Sequence, residues 1–486
     1  MTVTESAPGG HASADEYALH EGILRRQSAR ESAARTYART LPIVPVRARG
    51  LTIEGADGRR YLDCLSGAGT LALGHNHPVV LAAVRGVLES GAPLHALDLA
   101  TPVKDAFVTE LFATLPPGLA ARARVQFCGP AGTDAVEAAL KLVRAATGRS
   151  TVMAFTGAYH GMTAGASAAS GHADDVRVAR LPYPQEYRCP FGVGGARGAE
   201  LAARWTESVL DDPKSGVPAP AGMILEPVQG EGGVHPAPDA WLRRMRRITA
   251  ERSIPLIADE IQTGVGRTGA FWAVDHSGVT PDVMVLSKAI GGSLPLAVVV
   301  YRDDLDVWEP GAHAGTFRGN QLAMAAGAAT LAHVREHRLA ERAATLGARM
   351  LAQLGRLAEE HACVGEVRGR GLMLGVELVD PETEPGHDDS GIAAEDQGAV
   401  AEDQGVTLMW GSSAKPRPAA PALAAAVQRE CLRRGLIVEL GGRHASVVRL
   451  LPPLTITDEQ AAAVLDRLAD AVDAVARDHA GGIARP

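Results

Sequence analysis

Between residues 90 and 330, short apolar runs alternate with longer stretches whose apolar positions recur every three or four residues. The runs are RVQF (124–127), TVMAF (151–155), AGMILEP (221–227), IPLIADE (254–260), DVMVLSK (282–288) and LAVVVY (296–301). Runs that short, apolar on both sides and separated by helix-sized segments predict βαβ units and an α/β fold with a mainly parallel sheet. Upstream, LTIEGADGRRYLDCL alternates apolar and polar positions around Asp57-Gly58, the pattern of a hairpin. Downstream of 330 come two helical segments, the strand-like VGEVRGRGLMLGVEL, further strands in GLIVEL and VVRLLPPLTIT, and a closing amphipathic helix. The expected organisation is a flexible leader (1–25), an N-terminal part of a small domain (26–90), a large domain (91–335) and a C-terminal part of the small domain (336–486). Residues 381–420, rich in Pro, Gly and acidic residues and repeating AEDQG, are expected to be a mobile surface insertion.

Composition narrows the function. With 46% hydrophobic and 21% charged residues the chain matches soluble globular proteins, and no run approaches a membrane span. A net charge of −8 argues against nucleic acid or acidic lipid as a partner. Cys64, Cys128, Cys189, Cys363 and Cys431 lie far apart without a CxxC pair, which fits neither a disulfide framework nor a zinc site. No metal site is expected, and a polar, acidic N-terminus without a signal core gives a cytoplasmic expectation.

Only five lysines occur, so amine chemistry has few candidates. Lys104, Lys141, Lys214 and Lys415 read as solvated charges. Lys288 instead ends an apolar strand beside AIGGSLPL, where parallel sheets place their ligands and where burial turns an ammonium into a nucleophile. The plain alternative is a structural lysine that snorkels. Asp259 ends an equivalent strand about one βαβ unit earlier, so acid and amine reach one sheet edge. There a carboxylate can keep a pyridinium protonated, or simply cap a helix. In FCGPAGTDAVEAALK, a loop with Gly129 and Gly132 runs into a helix at Thr133, an arrangement that favours an anion such as a single phosphate. Tyr159 and His160 follow another strand and offer a platform for a planar ring, or ordinary loop packing. Arg449 enters an apolar run, as a carboxylate clamp does, and Glu226 or Glu231 in ILEPVQGEGG is available as its counter-charge.

Taken in order, AGTDAVEAALK, YHG, EPVQGEGG, ADEIQTGVGRTG, LSKAIGG, GTFRGN, VRGRGLMLG and RLLPPL resemble the class III pyridoxal-phosphate-dependent aminotransferases from about residue 30 to 475, apart from the insertion. That resemblance implies the fold-type I architecture: a large domain around a mainly parallel seven-stranded sheet, and a smaller α+β domain from both termini. It implies pyridoxal 5'-phosphate as cofactor, joined to Lys288 with Asp259 at the ring nitrogen and Gln262 at the ring's phenolic oxygen. It further implies Tyr159 stacked on the ring with His160 beside it, and Glu226 in the cofactor-binding set. Gly132 and Thr133 would hold the phosphate with Thr316 from a neighbouring subunit, which makes the protein a homodimer or a dimer of dimers. Arg449 would clamp a substrate carboxylate, with Glu231 as the gate that neutralises it.

Narrower features, DCLSGAGTLALGHNHP, YPQEYRCPFG, GTFRGNQLAMAAG and GLIVELGGR, resemble diaminobutyrate–2-oxoglutarate transaminases. After YHG, the ornithine and GABA branches generally carry arginine, whereas here Met162 follows. The resemblance therefore implies transfer of the terminal amine of L-2,4-diaminobutyrate to 2-oxoglutarate. Another ω-amine donor, an aminomutase or a non-catalytic cofactor-binding regulator stand as alternatives.

Overall fold

The computed structural model describes residues 14–172, 177–383 and 416–483. The chain opens with a helix, Ala14–Arg30, so part of the expected leader is helical, while residues 1–13 lie outside the described residues. Strands β1 (Pro45–Arg49), β2 (Thr52–Gly55) and β3 (Arg60–Asp63) follow as an antiparallel meander. Its β2–β3 hairpin pairs Ile53 with Tyr61 across the Asp57-Gly58 turn, where the alternation placed it.

The central sheet is built from β4 (Ala123–Phe127), β5 (Val152–Phe155), β6 (Val178–Leu181), β7 (Gly222–Leu225), then, beyond the short ribbon of β8 (Val228–Gln229) and β9 (His235–Pro236), β10 (Leu256–Asp259), β11 (Val283–Leu286) and β12 (Val298–Arg302). Its order is β4-β12-β11-β10-β7-β5-β6, seven strands of which only β12 runs antiparallel to its neighbours. β6 has no counterpart among the apolar runs of the sequence, because VARL carries an arginine whose guanidinium donates to Ala168 O at 2.7 Å.

Strand geometry explains why the other runs are largely apolar, with β4, at the sheet edge and carrying Arg124 and Gln126, as the exception. Successive side chains point to opposite faces, and both faces are covered. Val283, Val285 and Val299 pack with Val136, Leu140 and Val143 of the helix Gly132–Thr147. Met284, Leu286, Val298 and Val300 pack on the other side with Phe107 and Met324. Towards the far edge, Met153, Phe155, Met223 and Leu225 meet Trp241, Leu242 and Met245 of the helix Asp239–Glu251.

The C-terminal part adds β13 (Val364–Arg370), β14 (Met373–Leu378), β15 (Leu436–Ile437), β16 (Glu439–Gly441) and β17 (Val447–Leu450). β13-β14-β17-β16 form an antiparallel sheet, and β15 joins the N-terminal meander by pairing parallel to β3. Both ends of the chain thus share one sheet. The helix Asp458–Ile483 closes the described chain. Of the insertion, residues 384–415, with Lys415, lie outside the described residues. No described helix is long and apolar enough to cross a membrane.

Candidate active site

β10 and β11 are parallel neighbours, with Asp259 opposite Val285. Their C-terminal ends therefore deliver Asp259 and, two residues past Leu286, Lys288 to the same edge of the sheet. The connection between them carries only a short 3₁₀ turn, Ala273–Ser277, rather than the full crossover helix the sequence pattern implied. Lys288 adopts a left-handed backbone (φ 51°), a conformation that costs a non-glycine residue about 1–3 kcal/mol and is retained where function fixes the side chain.

A cavity of about 300 Å³ opens at this edge. Gly132, Thr133, Tyr159, His160, Glu226, Glu231, Asp259, Gln262 and Lys288 all line it, as do Met162 and Thr263. Of the cofactor- and substrate-binding residues expected from sequence, Arg449 and Thr316 stand outside the lining, as does Gly129 of the phosphate loop. Arg449 touches it through Glu231 and Gln262. Thr316 is exposed at the start of a short 3₁₀ turn, Thr316–Gly319.

Four features set the chemistry. First, Asp259 is buried, and its Oδ2 lies 2.6 Å from His160 Nδ1, while its Oδ1 accepts from Ile261 N at 3.1 Å. Burial by itself would lower the pKa of the imidazole, but the Asp259 hydrogen bond and charge, with Glu226 behind, raise it on balance. No helix starts directly after Asp259, where the chain runs into turns, so helix capping does not account for it. Second, Glu226 accepts from Tyr159 N (2.9 Å) and Gly230 N (3.0 Å), and burial pushes its carboxyl up to about 7.

Third, burial lowers the Lys288 ammonium pKa, against an opposing pull from Glu231, which favours the free amine. Among the other lysines, Lys141 and Lys214 are exposed, whereas Lys104 is half-buried with its amine on Asp98 O at 3.0 Å, contrary to the reading of it as a solvated charge.

Fourth, Arg449 is fully buried, with Nη1 2.7 Å from Glu231 Oε2 and 3.2 Å from Glu439 Oε2, and Nη2 donates to Gln262 Oε1 at 2.8 Å. The two carboxylates raise the guanidinium pKa despite burial, and Arg449 in turn holds Glu231 below its ordinary value. Glu231, not Glu226, is the counter-charge. Glu439 went unread in the sequence: it is the cross-strand partner of Arg449 in the β16–β17 ladder, a register that no local motif reveals.

The cavity also fits a phosphate-bearing pyridine. The 16-residue helix Gly132–Thr147 begins at its wall, and its first N–H groups have no intrahelical acceptor. Gly132 leaves room there, since a Cβ would sit 2.9 Å from Ile261 Cδ1. Gly161 (φ 125°) lets the Tyr159–His160 loop rest on the helix start, where a Cβ would approach Thr133 Oγ1 to 2.5 Å. His160 Nε2 is buried with no hydrogen-bond partner among the described residues.

The model of the family "Aminotransferase class-III" matches residues 32–472. A diaminobutyrate–2-oxoglutarate aminotransferase from Rhizobium meliloti is 52% identical over 93% of both chains. Another from Haemophilus influenzae is 43% identical over 94% of this chain and 96% of its own. Among solved structures, an (S)-enantioselective omega-transaminase from Thermomicrobium roseum superposes with a TM-score of 0.78 at 26% identity, covering 94% of this chain and 98% of its own. An ornithine aminotransferase from Toxoplasma gondii gives 0.73, also at 26%, covering 96% and 98%. A strand-end lysine and acid on adjacent parallel strands, a helix N-terminus facing them and a family match over nearly the whole length lead to one conclusion: the chain belongs to the class III aminotransferases.

Proposed function

We propose that the protein moves the terminal amino group of L-2,4-diaminobutyrate to 2-oxoglutarate, giving aspartate 4-semialdehyde and glutamate, in either direction. The lining fits pyridoxal 5'-phosphate as cofactor, which the Lys288 amine would hold. When bound it supplies an electrophilic carbon and an electron-withdrawing ring. Asp259, oriented by His160, would hold the proton on the ring nitrogen, Tyr159 would cover the ring and Gln262 would meet its phenolic oxygen. Glu226 fixes the Tyr159 loop through that residue's N–H. Gly132 and Thr133 take the phosphate at the helix start. Lys288 Nζ would take and return the proton at the substrate's reacting carbon.

The observation that carries the two-substrate reading is Arg449. With Glu231 against it, the guanidinium is neutralised and an amine without a carboxylate at that end can enter. With Glu231 swung aside, the same fork takes a carboxylate of 2-oxoglutarate bidentately. Met162, exposed at the cavity, brings no charge for a second carboxylate. The assembly is a homodimer in which Thr316 of one copy completes the phosphate site of the other, and the exposed Met162 and Phe317 are apolar side chains that such contact would cover.

Diaminobutyrate is the donor because the two relatives of highest identity reported above carry that name. The test is a donor screen with 2-oxoglutarate that follows glutamate. Diaminobutyrate is expected to give the highest kcat/KM among ornithine, putrescine, lysine and β-alanine, with no turnover when 2-oxoglutarate is withheld beyond one equivalent of enzyme. A better donor among these overturns the substrate, and continued turnover without keto acid overturns the reaction in favour of an aminomutase.

A further inference from the structure

Three sequence motifs that the catalytic site does not absorb meet at a second cavity of about 210 Å³. YPQEYRCPFG contributes Gln185 and Arg188, VRGRGLMLG contributes Arg368, and GLIVELGGR with the residue after it contributes Arg443 and His444, with His235 at the floor. The cavity lies behind the gate segment. Glu231 faces the catalytic cavity, Gly232 lines this one, and Gly442 N donates to Glu231 O at 2.8 Å between them.

Its charges do not balance. The Arg368 side chain is 8% exposed, with Nη1 on Glu366 and Glu377 and Nε donating to Gly233 O at 2.8 Å. Its Nη2 is buried without a partner among the described residues. Arg188 shares Glu377 and donates to Arg417 O at 3.0 Å. Arg443, at the mouth, donates to Thr156 O (2.7 Å) and Thr156 Oγ1 (3.2 Å), and no described carboxylate lies within ion-pair distance of it. Three guanidiniums thus face two carboxylates. The His235 imidazole adds no charge, since burial and then Arg368, Arg443 and Arg188 hold its pKa well below the ordinary value. A buried donor left unmade is costly, and a guanidinium fork is shaped for oxygen pairs.

We propose that this cavity is a second binding site, for a small oxyanion held by Arg368 Nη2 at its floor and Arg443 at its mouth. The ligand is either a free inorganic oxyanion or a small carboxylate, and the experiment separates the two. Holoenzyme is titrated calorimetrically with sodium phosphate, sodium formate and sodium chloride at constant ionic strength. Saturable binding of phosphate or formate is expected, persisting in Arg449→Gln and weakened about tenfold or more in Arg443→Gln, as loss of a charge-assisted contact requires. Preference for formate identifies the carboxylate form and preference for phosphate the inorganic one. Crystals of the unmutated holoenzyme soaked in the preferred ion should show it within hydrogen-bond distance of Arg368 Nη2. Chloride binding as tightly as either oxyanion, an affinity unchanged in Arg443→Gln, loss of binding in Arg449→Gln instead, or water alone in the cavity would each overturn the proposal.

Discussion

Replacing Arg449 with Gln separates the two halves of the reaction, and the structure sets the size of the effect. The guanidinium is fully buried, ion-paired with Glu231 and Glu439, and donates to Gln262. In the keto-acid half-reaction a carboxylate of 2-oxoglutarate replaces Glu231, and Gln cannot match a charged bidentate fork. Charge-assisted hydrogen bonds contribute about 1.5–3 kcal/mol each and Gln regains one neutral bond of about 1 kcal/mol, so mid-range values put the loss of the two-bond fork at about 3–4 kcal/mol. At about 1.4 kcal/mol per decade, kcat/KM for 2-oxoglutarate should fall by roughly 10²–10³-fold. In the diamine half-reaction Glu231 already covers Arg449, so the loss there should stay below about tenfold. Glu231 and Glu439 are left facing each other, but burial already raises the Glu439 pKa, so a proton on Glu439 relieves the repulsion. Stopped-flow absorbance on each half-reaction alone gives the two values, and Arg449→Lys, which keeps the charge but not the fork, should fall between. Equal losses in both halves would refute the gate.

Other outcomes follow from the same geometry. Asp259→Asn breaks the 2.6 Å contact with His160 and should cut kcat by about 10²–10³-fold, the cost of leaving a buried charge partner alone, while circular dichroism stays unchanged; a loss below tenfold would remove its role. Gly132→Ala places a Cβ 2.9 Å from Ile261 Cδ1 at the phosphate end, and should weaken pyridoxal phosphate binding by roughly tenfold, measured as cofactor dissociation. Glu260 is buried, accepting from Thr263 Oγ1 (2.6 Å) and Val274 N (2.9 Å), and burial pushes its carboxyl up to about 7. A raised folded-state pKa stabilises below the unfolded value and is lost as pH rises through 7. Glu260→Gln, which keeps both contacts, should therefore gain on the parent by up to about 3 kcal/mol between pH 4 and pH 8, read from denaturant unfolding at each pH. A difference that does not vary with pH would contradict it.

How far the sequence reached depended on whether the cause was local. The strands β5, β7, β10, β11 and β12 were legible because both faces are buried and their positions are apolar but for Asp259 and Arg302 at strand ends. β6 was not, since Arg180 sits in the strand and ties itself to Ala168 and Ala169 carbonyls. Lys288 and Asp259 were legible because a charge ending an apolar strand stands out, and neighbouring strands bring them together. Choosing Glu231 over Glu226 needed the fold: both follow β7, but Glu226 turns back onto Tyr159 N and Gly230 N, while Glu231 reaches Arg449. Glu439 depended on strand register, and the oxyanion cavity on four distant segments meeting, neither of which a local pattern encodes. The helix Ala14–Arg30 was missed because polar, acidic composition was read as a leader.

The whole account rests on one covalent bond, between the amine of Lys288 and the cofactor. Holoenzyme reduced with borohydride, digested and sequenced by mass spectrometry locates that bond directly. A pyridoxyl group on the peptide containing Lys288, and absent from those with Lys104, Lys141, Lys214 and Lys415, is the predicted result. The label on any other lysine, or on none, would contradict it.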